Sequence, residues 1–361
     1  MKYFFLFFSG GLYLSACQSL NSTKNISHKP HPIPPSGFVQ ERLLQITKQG
    51  VNRFPHLSKD NQYMLFVSSE RSKHQHSQVY MLDLSTQQEK RITFQDGQLI
   101  NPQFIDNSQQ IVYESTTDED KEFPYLVRKY STSKLQPPLS NNTVDLLRPI
   151  LPIEGFEIYK SDREGYSIER LTNSLHFDGT SSILNKNELL ISSLNHDQID
   201  VYKLVKRRNK WQRIQISNSP HHEIQAQEHK TTKKMAWVEL QKDFLYSNIV
   251  IGDLRGKGTI RIDEGIHYSL APQWHPDGDF VLFTSNMAEY DNYELFVYDL
   301  KERCIKRLTY FSTMELDPIF SPDGKYIYFS SNLQGTHQIF RTAFHPPKSC
   351  TTLTSSAKME P

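Results

Sequence analysis

Three cysteines in 361 residues are too few for a disulfide framework or for a paired Cys-x-x-Cys metal site. An excess of charge of one sign is missing too. Lys plus Arg total 41 against 40 for Asp plus Glu, so no basic field is present to hold a nucleic-acid backbone. Nucleic acid is therefore not an expected partner. Beyond residue 17 no apolar run approaches the ~20 residues that span a bilayer. Catalytic signatures are equally scarce: there is no Gly-x-Ser-x-Gly elbow, no Walker loop and no His-Glu-x-x-His pair. Neither a cofactor nor a metal is expected from such a sequence. What remains is the make-up of an ordinary globular chain, 37% hydrophobic and 22% charged.

The N-terminus departs from that make-up. Lys2 precedes an apolar run, Phe4 to Phe8 and Leu12 to Leu14, which ends in Leu14-Ser15-Ala16-Cys17. The run is shorter than a membrane span and has the charge, core and small-residue layout of a secretory signal, so residues 1–16 read as a segment removed on export. Leu14-Ser15-Ala16-Cys17 resembles the lipobox of bacterial lipoproteins. The resemblance implies that the Cys17 thiol takes a lipid and becomes the new N-terminus. Residues 17–37, rich in Ser, Asn, His and Pro and without an apolar period, then form a tether. Gln18 follows Cys17 where an inner-membrane lipoprotein carries Asp, which favours the outer membrane, facing the periplasm, with the lipid as the membrane contact.

A repeat organises the rest. His275-Pro276-Asp277-Gly278 and Ser321-Pro322-Asp323-Gly324 each precede an apolar strand, and weaker copies of the pattern place anchors at Pro55, Pro102, Thr180, Ala226, Pro272 and Pro318. The spacings are 47, 78, 46, 46 and 46, so six copies fall on one ruler with an insertion of 32 residues, the excess of 78 over 46. That insertion is expected within about residues 115–156, in blade two. Each copy reads as a four-stranded antiparallel sheet. Proline presets the turn and glycine ends it. The second and third strands are apolar at successive positions, as expected of strands buried on both faces. The fourth alternates and ends in Arg-Leu-Thr or a variant, as at Arg307-Leu308-Thr309, Lys90-Arg91-Ile92-Thr93 and Arg170-Leu171-Thr172. The sixth copy lacks this last strand, and its ending recurs at Arg42 to Thr47. An N-terminal strand completing the last blade would close a ring and remove an exposed edge.

The Pro-Asp-Gly turn, the Arg-Leu-Thr ending and the period near 46 resemble the TolB-like propeller repeat (PD40) over residues 38–345. The resemblance is strong in copies one, two, five and six and weak in three and four. It implies an all-β, six-bladed β-propeller, followed by a polar tail at 346–361 in which Cys350 either pairs with Cys304 or stays free. The loops leading into each first strand, and those joining second to third strands, make one face, here called the funnel face. They carry Arg53, Asn101, His222, His267, Tyr268 and Asp317 near the channel, and Phe244, Tyr246, Tyr290 and Tyr293 farther out. Tyr293 is expected to pack inside its own blade, and the others are candidates for partner binding, since aromatics on exposed loops are common recognition anchors.

Other groups carry blander readings. His74-x-His76 and the acidic run Asp118, Glu119, Asp120 and Glu122 read as solvated loops, the latter lacking the glycine and alternation of a calcium loop. The expected function is protein or cell-wall binding through the funnel face, with an envelope protein or peptidoglycan-associated lipoprotein as the partner implied by the resemblance. The alternative is a periplasmic carbohydrate-active enzyme like the related oligogalacturonate lyases, with a metal in the channel. His222, His267 and His275 would then have to converge within ~5 Å.

Overall fold

Apolar runs become strands here because each is flanked on both sides by neighbouring sheets, while Pro, Asp, Gly and Asn turn the chain between them. The computed structural model describes residues 43–351 except 106, 120–154, 175–176, 196, 243, 255–257 and 290. These fall in one compact unit, Pro34–Pro361. Six four-stranded antiparallel sheets follow one another along the chain. Blade one holds Val51–Leu57, Tyr63–Ser69, Gln78–Asp83 and Glu89–Arg91. Blade two holds Leu99–Ile105, Gln110–Ser115, Glu157–Asp162 and Glu169–Arg170. Blade three holds Asp178–Asn185, Glu188–Asn195, Gln198–Arg207 and Lys210–Gln215. In blade four these are His222–Glu228, Met235–Leu240, Ser247–Gly252 and Ile260–Arg261. Blade five holds Ser269–Trp274, Phe280–Glu289, Asn292–Asp299 and Cys304–Arg307. Blade six holds Glu315–Phe320, Tyr326–Ser331 and Gln338–Ala343, completed by Leu44–Gln45 from the other end of the chain. Met235–Leu240 and Asn292–Asp299 are buried throughout, the signature of a strand covered on both faces.

Ring closure is shorter than the Arg42 to Thr47 strand that the sequence suggests. Leu44 lies opposite Arg341 and Gln45 opposite Phe340, and the Ile46 N–H continues the contact to the Ile339 carbonyl at 2.7 Å. Leu44 is 48% exposed, whereas Ile46 is buried: the regular strand ends at Gln45, and the Ile46 and Thr47 N–H groups both turn to the Ile339 carbonyl, which breaks the alternation that would put residues 44 and 46 on one face.

The Arg-Leu-Thr ending has a physical explanation that the structure repeats six times. In each blade a side-chain oxygen at the end of the outer strand accepts a backbone N–H from the third strand. The acceptors are Thr93 for Val79, Thr172 for Ile158, Ser217 for Val201, Asp263 for Ile249, Thr309 for Leu295 and Thr47 for Ile339, all at 2.7–2.9 Å. The residue before each acceptor returns its own N–H to the carbonyl of the same third-strand residue. Where arginine precedes, its Nε donates to the threonine carbonyl: Arg91 at 2.7 Å, Arg170 at 2.9 Å and Arg307 at 2.8 Å. A buried N–H left unpaired costs about 1–3 kcal/mol, so each short outer strand is held by this latch as much as by its ladder.

The Pro-Asp-Gly turns latch blades to one another on the face opposite the funnel. His275 Nε2 donates to the Gly324 carbonyl at 3.1 Å and His229 Nε2 to the Pro276 carbonyl at 3.0 Å. Gly324 has φ 72°, and a Cβ there would also collide with the His275 ring. The second strand of blade two ends at Ser115 and the third begins at Glu157, and residues 120–154 of the connection between them, where the extra residues are expected, lie outside the described residues. Cys304 and Cys350 form a disulfide with Cα atoms 5.8 Å apart. Thr351 then bonds to the outer strand of blade five, its N–H to the Ile305 carbonyl at 2.7 Å and its Oγ1 accepting the Arg307 N–H at 2.7 Å. Among the described residues no helix is long and apolar enough to cross a membrane.

Candidate functional site

The channel is lined by the six first strands, and every one of them breaks register at its anchor position. Phe54, Asn101, Gln225, Ala271 and Asp317 occupy matching places with φ between 50° and 56°, and blade three has Gly179 there. Left-handed backbone costs a non-glycine residue roughly 1 kcal/mol or more, so five such residues at one level make this the strained belt of the fold. Side chains from neighbouring blades or strands answer the N–H groups that the bulges free. Phe54 N–H goes to Asp317 at 3.2 Å, Thr180 N–H to Glu114 at 2.9 Å, Gln225 N–H to Ser192 Oγ at 3.2 Å and Ala271 N–H to Gln225 Oε1 at 2.8 Å.

One ion pair and one buried acid dominate the lining. Arg53 grips Asp317 with Nε to Oδ2 at 2.6 Å and Nη2 to Oδ1 at 2.9 Å, and Ser330 Oγ adds a bond at 2.8 Å. Burial pushes the Asp317 carboxyl up, but the Arg53 charge and the bonds from Arg53, Ser330 and Phe54 outweigh it and hold the group below the ordinary carboxylate range. His337, in the loop before the last strand of blade six, is lowered to about 4 by burial first and by Arg53 second. Across the channel, Asn101 Nδ2 donates to Glu114 Oε1 at 2.9 Å and to the Thr180 carbonyl at 2.7 Å. Burial pushes Glu114 up to about 8, so it is largely neutral at pH 7. The upper channel thus carries one internally balanced ion pair and one protonated acid, around a cavity of about 140 Å³.

The structure divides the candidate residues into three groups. Arg53, Asn101 and Asp317 do line the channel. His222, Phe244 and Tyr268 are interior: the His222 ring stacks on Phe244 with centroids 4.8 Å apart, and the Tyr268 hydroxyl donates to the Phe244 carbonyl at 2.6 Å. They pack the top of blade four, where the buried Phe244 covers His222 and takes the Tyr268 hydroxyl. Tyr293 is buried as expected. Tyr246 stays half-buried, and His267 is held by Asp263 at 3.0 Å, the acid that also supplies the blade-four latch. Tyr290 and Cys17 lie outside the described residues, as do Asp120 and Glu122 of the acidic run. In that run Asp118 accepts from the Tyr159 hydroxyl at 2.7 Å, and His74 bonds Tyr80 at 2.7 Å.

His222, His267 and His275 do not form one ligand set. The first is stacked in blade four, the second is bound to Asp263, and the third packs against Phe280, Phe320 and Phe344 at the opposite end of its strand. Among the described residues the one group with metal-ligand spacing is Glu302 with the disulfide cysteines.

The funnel rim carries residues that sequence reading passed over. Phe94 is 74% exposed on the connection from blade one to blade two, Ile266 71% on that from four to five, and Leu333 37% on the second-to-third loop of blade six. The signal was present in the repeat: the position after the outer-strand threonine is Phe94 in one copy and Tyr310 in another. Both rings lie under the arginine of the same motif, Arg91 at 4.4 Å and Arg307 at 4.2 Å.

The family model for the TolB beta propeller domain matches residues 211–358. No curated protein matches the chain. Among solved structures, the protein described as TolB from Agrobacterium tumefaciens aligns with a TM-score of 0.55 and 13% identity over 84% of this chain and 97% of that one. The oligogalacturonate lyase of Vibrio parahaemolyticus gives 0.54 and 14% identity over 85% and 81%. The hydrazine synthase of Kuenenia stuttgartiensis gives 0.52 and 11% identity over 72% of this chain and 39% of that one. At such identities the likeness speaks for the fold, and proteins of unlike chemistry share it. The repeats and the closed ring make this chain a six-bladed β-propeller, and its residues 211–358 match the TolB beta propeller domain.

Proposed function

We propose that the protein is a lipid-anchored protein of the cell envelope whose propeller holds a protein partner on the funnel face. The observation that carries this reading is the rim. Phe94, Ile266 and Leu333 stand exposed on connections of different blades around a channel mouth whose own polar groups already bond one another. Exposed apolar side chains spread around a polar centre suit a broad protein surface, whereas a cavity of about 140 Å³ is small for an oligosaccharide. Likeness to TolB makes a peptidoglycan-associated lipoprotein or another envelope protein the first candidate partner. Lipidation of Cys17 would keep the propeller at the outer membrane, on its periplasmic side.

Affinity capture from cross-linked envelopes tests the reading. A protein held by the wild type should be lost by a Phe94→Ser/Ile266→Ser variant whose melting temperature is unchanged. Equal capture by both would end the assignment to this face. The anchor is tested separately: a Cys17→Ser chain should move from the membrane fraction to the soluble one.

A further inference from the structure

We infer that the other mouth of the channel, on the face opposite the funnel, binds a phosphate-bearing anion through lysines carried on three blades. The turns between first and second strands of all six blades surround a cavity of about 700 Å³ there. Lys59 of blade one, Lys186 of blade three and Lys230 of blade four line it. Among the described residues the lining contains one carboxylate, Glu228, and that group is taken by Lys233 at 2.7 Å; Asp106, between the lining residues Ile105 and Asn107, lies outside the described residues. Of the acids on the neighbouring turns, Asp60 and Asp323 fold back on Ser58 at 2.5 Å and Ser321 at 2.6 Å and serve as turn caps, and the exposed Asp277 lies 3.6 Å from His275 Nδ1. Among the described residues Lys186 and Lys230 have no ion-pair partner, and Lys59 donates to the neutral Asn107 side chain at 3.0 Å.

Lys59 and Lys230 are therefore close enough to repel each other, and no carboxylate among the described residues is bound to either. Although Lys230 is exposed at its surface, its ammonium is lowered, by loss of surrounding water first and by repulsion from Lys59 second. His56 extends the site inward, since it lines both this mouth and the upper channel. Its Nδ1 accepts the Phe104 N–H at 3.2 Å, so the neutral ring keeps its proton on Nε2 as a donor. His229 and His275 are occupied by their bonds between blades and are not ligands.

Ammonium groups arriving from several directions as point charges fit a compact anion of high charge, and a neutral ligand would leave their repulsion in place. The phosphate could belong to a lipid headgroup or to a soluble molecule. The closing strand, Leu44–Gln45, starts at this face, and Cys17 precedes it in the chain. That argument for the lipid source rests on the proposed anchor, whereas the anion site does not.

The experiment uses the full chain carrying Cys17→Ser, so that no acyl group drives membrane binding. Sodium pyrophosphate is titrated calorimetrically at low salt, and the protein is sedimented with phosphatidylglycerol or phosphatidylcholine vesicles. A Lys59→Gln/Lys230→Gln variant should bind at least about tenfold more weakly, the loss expected for charged hydrogen bonds of this kind. It should melt no lower than its parent, because a repulsion has been removed. A Lys210→Gln/Lys348→Gln variant of equal charge should bind within about twofold of the parent. Binding of pyrophosphate alone assigns a soluble phosphate compound, and binding of phosphatidylglycerol vesicles alone assigns a headgroup. If neither probe binds, or if the Lys59→Gln/Lys230→Gln variant binds as tightly as its parent, the proposal is overturned.

Discussion

Blades five and six spell out the repeat in their sequence, and blades three and four barely do, yet the two halves build the same sheet with the same latch. Thr309 and Thr47 close the outer strands of blades five and six, while Ser217 and Asp263 do so in three and four. What recurs is an oxygen at one position, and three residue types supply it. A sequence template scores the residue type and so reads as degenerate two blades that are physically equivalent.

The largest expected effect concerns the one blade built from both ends of the chain. Deleting residues 38–47 removes the partner of Gln338–Ala343, several hydrogen bonds worth about 1 kcal/mol each and the burial of Ile46 worth about 1.5–3 kcal/mol. Deleting 18–36 should leave the melting temperature unchanged. Equal melts for the two truncations would mean that ring closure adds nothing.

The next effect sharpens the equivalence of the latches. Thr309→Val and Asp263→Ala each strand a buried third-strand N–H and should each cost about 1–3 kcal/mol in denaturant titrations. Asp263→Thr, which moves the blade-five residue into blade four, should recover most of that loss. A blade four indifferent to Asp263→Ala would show that its outer strand is held in another way.

Blade interfaces differ in their buried acids, and pH separates them. Burial pushes Glu315, between blades five and six, up to about 9, with Glu294 adding repulsion. Glu223, between blades three and four, is pushed up to about 7. The folded chain keeps these protons where the unfolded chain, near 4.5, has released them, so stability falls as pH rises from 4.5 through 7 to 9. His56, His222 and His337, each lowered to about 4 mainly by burial, act in the opposite sense: stability falls as pH drops from 6.5 to 4. The two sets offset each other between 4.5 and 6.5, and above that range the carboxylates act alone. Melting temperature should therefore decline from pH 6.5 to 9, with a smaller slope in Glu315→Gln than in Glu223→Gln above pH 7. An unchanged slope in Glu315→Gln would locate the dependence elsewhere.

The smallest effect compares two glycines of blade six. Gly324→Ala adds left-handed strain and a collision with His275, whereas Gly335→Ala, at φ 99° with open space around it, adds strain alone. The first should lower stability by clearly more than the roughly 1 kcal/mol expected of the second, and His275→Ala should narrow the gap.

Legibility followed the range of the interactions. The turns, the strand period and the missing sixth outer strand are local patterns and were readable before any coordinates. Arg53, Asn101 and Asp317 were placed at the channel by the same ruler, since anchor positions on first strands face the axis. The rim was harder. His222 and Tyr268 sit where an exposed loop was expected, but the buried Phe244 covers His222 and takes the Tyr268 hydroxyl. Phe94 and Ile266 follow buried strand endings; the repeat marks the position of Phe94, but whether anything covers these side chains is decided by what packs beside them.

By itself the sequence determined the blade count and the closure of the ring by the N-terminus, because a propeller repeats one local unit at a fixed period. Only the tertiary structure decided which polar groups answer one another across blades and which side chains are left uncovered. Arg53 with Asp317, His275 with Gly324 and the three lysines of the lower mouth come from separate turns of the ring. Their proximity is set by closing the circle, which no local stretch of chain encodes.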